Sequence, residues 1–205
     1  MPRDAMQDPK QYITEEQALA AIAAAPNQRD ELLLSLLWYT GARVSEIIQL
    51  PISCIDFEES CVTIRSLKKR STTDHYRSIP IPDDLLKNLY SFIKADGHLG
   101  GDYLFTFKGS QPLSRQAAWE IVRDACTAAG VTRFGDKNIS KRGFGPHPHV
   151  FRHGFAMHWL KSGGRPEQLQ AILGHNTYET TRSYQRFTPK DLQDEYKKVF
   201  AKKKE

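Results

Sequence analysis

Between His147 and Tyr184 the sequence HPHVFRHGFAMHWLKSGGRPEQLQAILGHNTYETTRSY gathers histidines, three arginines and two tyrosines, more cationic donors and hydroxyls than packing alone requires. His149, Arg152 and His153 lie three and one positions apart. On a helix opening near Pro148 their polar ends converge, which suits an anionic ligand. A single histidine is more often a cap or a satisfied core residue; the cluster shifts that balance. Gly163-Gly164 should end this helix, Pro166 open a second one, QLQAIL, and Gly174 close it. His175 follows directly, and Tyr184 comes nine residues later, past a third expected helix in TYETTRSY. His147, His149 and His153 could also offer imidazole to zinc. No carboxylate or thiol stands near them and the surrounding Lys and Arg oppose a dication, so no metal is expected.

Upstream, TGARVSEIIQL places Arg43 and Glu46 three apart. The carboxylate can hold the guanidinium in one orientation for bidentate contact with a phosphate. As a plain surface pair it would contribute only about 0.3–0.5 kcal/mol. The ordered set of T-G-A-R-V-S-E, then H-x-x-R-H, then L-G-H, then a tyrosine nine residues on resembles the signature of the tyrosine recombinases, the phage integrase family. The matched motifs span Thr40 to Tyr184.

That resemblance implies a mainly α fold with a small antiparallel β-sheet, the integrase catalytic-domain fold, acting as a site-specific DNA recombinase. Tyr184 would attack a phosphodiester to give a 3′-phosphotyrosine and a free 5′-hydroxyl, and a 5′-hydroxyl from another strand would reverse the step. A tyrosine with pKa near ~10 is a poor nucleophile at neutral pH, so cations must assist. Arg43 and Arg152 would bind the non-bridging oxygens as charge grows, which makes a cofactor unnecessary. His175 would donate to the phosphate and His149 accept or shuttle the tyrosine proton. Glu46 and His153 would support them. A lysine from a β-hairpin would protonate the leaving 5′-oxygen, its pKa lowered by neighbouring arginines. Lys68 is the first choice and Lys69 the competitor. Tyr178 is the rival nucleophile, and the family spacing selects Tyr184. Two other outcomes are compatible with the motifs: a DNA-binding accessory protein that has lost strand exchange, and a type IB-like topoisomerase.

The elements that must position these groups are legible in outline. Thr14 and Gln17 form a capping box for an Ala-rich helix to Ala25. A helix over 29–40 carries LLLSLLWY, apolar nearly all round and therefore central to the core. A third is expected over 43–50, before Pro51. CVTIR (61–65) and YRSIP (76–80) alternate as paired strands around the polar hairpin SLKKRSTTDH. Helices are expected from Asp83 or Asp84 to about Ala95 and from Ser114 to Gly130, with YLFTF as a short buried extended segment between them. Residues 131–146 hold four basic groups to one acid and three glycines, a loop suited to DNA. Lys69, Arg70, Lys137, Lys141 and Arg142 are the candidate DNA contacts.

At 205 residues one core suffices. Residues 1–100 carry 11 basic and 14 acidic groups (net −3), whereas 101–205 carry 18 and 10 (net +8), so the positive field lies in the second half. Such a face either attracts a polyanion or merely keeps the chain soluble. Three cysteines without C-x-x-C, and no apolar run of membrane-spanning length, fit a cytoplasmic, nucleoid-associated protein. Residues 1–12 are expected to be loose and 13–205 to form the catalytic domain. Only about 40 residues precede the arginine box. The additional N-terminal DNA-clamping domain of most family members is therefore expected to be absent, in a naturally short member or a truncated one. Double-stranded DNA is the expected partner. A monomer in solution should assemble into dimers or tetramers on it through the apolar stripe of residues 191–200.

Overall fold

The computed structural model describes residues 12–66, 75–96, 103–106, 111–132 and 145–174. Its elements are α1 (Glu15–Ala23), α2 (Gln28–Thr40), α3 (Val44–Ile47), β1 (Ile55–Asp56), β2 (Cys61–Arg65), β3 (Tyr76–Pro80), α4 (Asp83–Asp96), α5 (Arg115–Ala128), α6 (Pro148–Lys161) and α7 (Pro166–Leu173). The fold is mainly α with one three-stranded antiparallel sheet in the order β1-β2-β3.

Local chemistry sets the starts. Thr14 accepts from the Gln17 backbone N–H while the Gln17 side chain accepts from that of Thr14, the reciprocal cap expected from the sequence. Asn27 caps α2 and Ser114 caps α5, each with a side-chain oxygen that accepts one backbone N–H. Helix α2 is the hub: Leu32, Leu33, Leu34, Leu36 and Leu37 are at most 1% exposed, and α1, α4 and α6 pack around it. A helix apolar on every face has to lie inside.

In the sheet, Val62 and Ile64 of β2 face the core with Ile79 of β3, and Ile64 is paired with Arg77. Strand alternation therefore puts the Arg77 side chain on the same inward face as Ile79. Strand β3 also meets α7, which packs in turn on α6.

Helix α3 is shorter than expected, ending at Ile47 rather than Leu50, and Arg43 is its extended N-cap residue (φ −74°, ψ 145°). The last residues leave the helix because Leu50 takes other bonds: its N–H turns to Ile47 O, and its carbonyl accepts from Leu104 N at 2.8 Å. Leu104 and Phe105 are fully buried, as YLFTF led us to expect, but only isolated bridges form there, Pro51 with Tyr103 and Thr106 with Pro112. Strand β1 is an element that sequence reading did not anticipate. Among the described residues no helix is long and apolar enough to cross a membrane.

Candidate active site

Glu46 is the anion around which the first arginine is arranged. Its side chain is fully buried (0% exposed), yet it stays charged through three donors. Arg43 Nη1 donates to Oε1 at 3.1 Å, while Oε2 accepts from the Arg43 backbone N–H at 2.9 Å and from Arg77 Nη2 at 2.6 Å. Burial by itself would raise the carboxyl's pKa, but the hydrogen bond and charge of Arg77, followed by those of Arg43, outweigh it and hold the pKa below the ordinary value. Arg43, one-third exposed, is thus gripped by side chain and backbone, and its guanidinium stays in contact with solvent.

Arg152 joins the two halves of the motif set. It projects from the first turns of α6 and is only 5% exposed. Nη1 donates to Gly41 O at 2.7 Å and Nη2 to Leu173 O at 2.9 Å. These carbonyls belong to the C-terminal ends of α2 and α7, where orphan acceptors and the negative ends of two helix dipoles favour a cation. Gly41 sits in the left-handed region (φ 59°), and a Cβ there would run into the ring of Phe155 and the side chain of Leu173. That close approach brings the box containing Arg43 onto α6 and α7.

His149 lies one turn before Arg152, exposed on one edge and packed on the other. Burial on that packed side, with the charges of Arg152, Arg43 and Arg115, lowers its pKa. His153, half-buried, is lowered by burial and then by His149, Arg152 and His147. His147, the N-cap of α6, is lowered by burial and by His149, whose ring centroid is 6.1 Å away. Its Nδ1 is buried without a hydrogen-bond partner. At neutral pH His149 is therefore a neutral imidazole beside guanidinium groups, able to accept a proton. His158 sits elsewhere, its ring tilted against Trp38 with centroids 5.6 Å apart and its Nδ1 3.6 Å from Glu15.

Thus Arg43, Glu46, His149, Arg152 and His153 come from α3 and α6 to one region. Lys68, Lys69, Arg70, Lys137, Lys141, Arg142, His175, Tyr178 and Tyr184 lie outside the described residues, as does the segment 191–200. The described residues nevertheless lead to several of them. Ser66 N donates to His75 O at 2.8 Å, joining the two described residues between which Lys68 and Lys69 lie in sequence. Ser66, His75, Arg77, Gln170 and Gly174 line one cavity of about 320 Å³, so the hairpin base and the residue before His175 face a common space.

Sequence reading missed Arg77 and Arg115. Arg77 had a signal: in YRSIP it is in phase with the buried Ile79, a charge on an inward face. Arg115, exposed at the first turn of α5, had none, because its importance lies in the field it casts on His149.

Comparison with known proteins bears on the fold and the family. The phage integrase family model matches residues 11–190. The tyrosine recombinase XerA of Pyrococcus furiosus is 33% identical over 187 residues, covering 89% of this chain and 59% of the relative. A crystal structure of XerA recombinase superposes with a TM-score of 0.76 at 28% identity, over 97% of this chain and 67% of the other. The catalytic domain of bacteriophage HP1 integrase gives 0.60 at 25% identity, over 92% and 94%. The chain spans about three-fifths of the length of the curated relatives it matches. With motifs, fold and family match in agreement over most of its length, the chain belongs to the phage integrase family.

Proposed function

We propose that the protein is a site-specific DNA recombinase that cleaves and rejoins duplex DNA through a 3′-phosphotyrosine at Tyr184. The observation that carries this reading is the Arg152 fork, which ties the arginine box to the turn leading into His175. It gathers cationic groups beside a neutral imidazole, as phosphoryl transfer requires when positioning and charge stabilisation do most of the work.

Residues 13–205 act as the catalytic domain. Arg43, held by Glu46 and open to solvent, takes a non-bridging oxygen; Arg152 supplies charge from the floor of the site. His149 takes the Tyr184 proton as Oη attacks phosphorus. His175 donates to the phosphate, and Lys68 or Lys69 protonates the departing 5′-oxygen. His153 backs His149. The substrate, double-stranded DNA, is held by the basic second half of the chain, including Lys69, Arg70, Lys137, Lys141 and Arg142, and protomers pair on adjacent sites. A cytoplasmic, nucleoid-associated location follows from that substrate.

The test is a nicked suicide substrate from which the cleaved 5′-segment diffuses away. Wild-type protein should accumulate a covalent DNA adduct and, on paired sites, recombinant product. Tyr184→Phe should bind DNA and give no adduct, while Tyr178→Phe should still give it. Adduct from Tyr184→Phe would refute the assignment; adduct and relaxation without recombinant product would make the protein a topoisomerase.

A further inference from the structure

Arg77 is nine-tenths buried (10% exposed), and nothing in the chemistry above uses it. It enters from β3. Nη2 donates to Glu46 Oε2 at 2.6 Å, and Nε donates to Ile172 O at 2.7 Å. Nη1 is buried with no hydrogen-bond partner and lies against Gly174, where even a Cβ would come within 3.3 Å of it. A buried cation with an unused donor is a poor stabiliser, since well-packed apolar residues often replace such groups at no loss. What the guanidinium does supply is geometry. Its planar fork can hold two acceptors in fixed relative positions, which an ammonium cannot.

The two acceptors are telling. Glu46 is the carboxylate that grips Arg43, and Ile172 O belongs to the last turn of α7, next to the Leu173 carbonyl held by Arg152. Two guanidiniums from different elements therefore fix consecutive carbonyls just before His175. One of them also fixes the carboxylate behind Arg43.

We infer that Arg77 is a positioning residue for DNA cleavage: it sets Arg43 through Glu46 and fixes the last turn of α7, without touching DNA. This rests on the recombinase reading above. It explains why the carboxylate is buried between two arginines rather than paired with one at the surface. It also explains why α7 meets β3, since the Nε bond is a direct link between them.

Single-turnover cleavage of a suicide substrate by the full chain at saturating DNA tests the inference, with DNA affinity and thermal melting measured alongside. Arg77→Ala should slow adduct formation about 100-fold, the scale of a misplaced reacting group, with little change in affinity. Arg77→Lys, which keeps charge but not the fork, should remain well below wild type. Added guanidinium ion should partly restore Arg77→Ala, whereas an equal concentration of sodium salt should not. Wild-type rates in both variants would overturn the inference. So would losses that merely track affinity or the folded fraction, or failure of both variants to fold, because these assign Arg77 to stability alone. Absence of adduct from wild type would overturn the recombinase reading itself, a result distinct from any of these.

Discussion

Arg152 and Gly41, 111 positions apart in sequence, are joined by a 2.7 Å hydrogen bond from guanidinium to carbonyl. The bond converts two separate sequence motifs into one site. Gly41 precedes Arg43 by two residues, and the other arm of the fork reaches Leu173 O, two residues before His175. Stability and the proposed chemistry are coupled here, because the cation assigned to the phosphate also closes two helix ends.

Arg152→Ala should therefore lose more than charge. Two charge-assisted bonds disappear, each with a net contribution of about 1.5–3 kcal/mol, and two carbonyls are left unsatisfied in a buried place. We expect a lowered denaturation midpoint together with loss of adduct. Arg152→Lys should recover part of the stability, since one ammonium can reach one carbonyl, and little of the cleavage. Full stability in Arg152→Ala would show that the fork does not hold the helix ends together.

Glu46→Gln preserves shape and removes the anion between Arg43 and Arg77. Breaking a buried ion pair from one side costs about 3–5 kcal/mol, and here two cations are left facing an amide. The folded-state pKa of Glu46 is depressed below 4.5, so its contribution is fully present above that value and is lost as pH falls through the folded pKa. Denaturant titrations should find Glu46→Gln less stable at neutral pH. The gap from wild type should narrow on acidification; a gap independent of pH would mean that the charge is not what matters.

Much of this was legible in the sequence where the signal is local. The Thr14–Gln17 cap, the bounds of β2 and β3 and the glycine stop of α7 follow from side chains a few positions apart. The all-apolar run of α2 announces its own burial. What escaped was tertiary. The choice of Glu46 as the partner of Arg77, 31 positions away, depends on how β3 meets α3 and α7. The early end of α3 depends on Leu104 taking the Leu50 carbonyl. Spacing put Arg152 beside His149 and His153 and the family resemblance implied a phosphate role for it, but nothing in the spacing showed that two of its nitrogens would be bound to helix ends.

Gly41→Ala tests the close approach that assembles the site. The left-handed backbone (φ 59°) costs an L-residue roughly 1–2 kcal/mol, and the added methyl must displace Phe155 and Leu173, an overpacking cost of about 1–3 kcal/mol. Gly130→Ala is the control: its φ is 74°, but nothing lies within 4 Å of the new atom. Unfolding measurements should show the larger loss at Gly41, and only that variant should impair cleavage. Equal losses would remove the packing argument.

The histidines predict an acid limit. His147, His149 and His153 all have pKa values below 6.5, each through burial first and neighbouring positive charge second. Well above 6.5 these side chains are neutral whether folded or unfolded and contribute nothing to the pH dependence. Below it the unfolded chain takes up protons that the folded site resists, so stability falls with pH. Arg152 on its own helix, Arg43 before α3 and Arg115 on α5 are the charges that oppose protonation of His149. Cleavage should decline as pH drops through that lowered pKa, because the protonated ring cannot accept from tyrosine. His149→Gln should be slow and should lack that limb of the profile; an unchanged limb would remove His149 as proton acceptor.

The hairpin lysines can be separated by the leaving group. The closed base at Ser66 and His75 faces the same cavity as Arg77 and Gly174. Lys68 is two residues past that base and Lys69 three. A departing 5′-alkoxide needs a proton, whereas a 5′-thiolate does not, so a general acid reveals itself when sulfur at the bridging position abolishes the defect of its removal. Lys68→Ala should slow cleavage of ordinary DNA by about 10²–10⁴-fold, the span of general acid catalysis, and approach wild type on the sulfur-bridged substrate. Lys69→Ala should show a smaller loss that sulfur does not repair, since a backbone contact helps binding and not the leaving group. Rescue of Lys69→Ala alone would transfer the role by one residue, and rescue of neither would place the acid outside the hairpin.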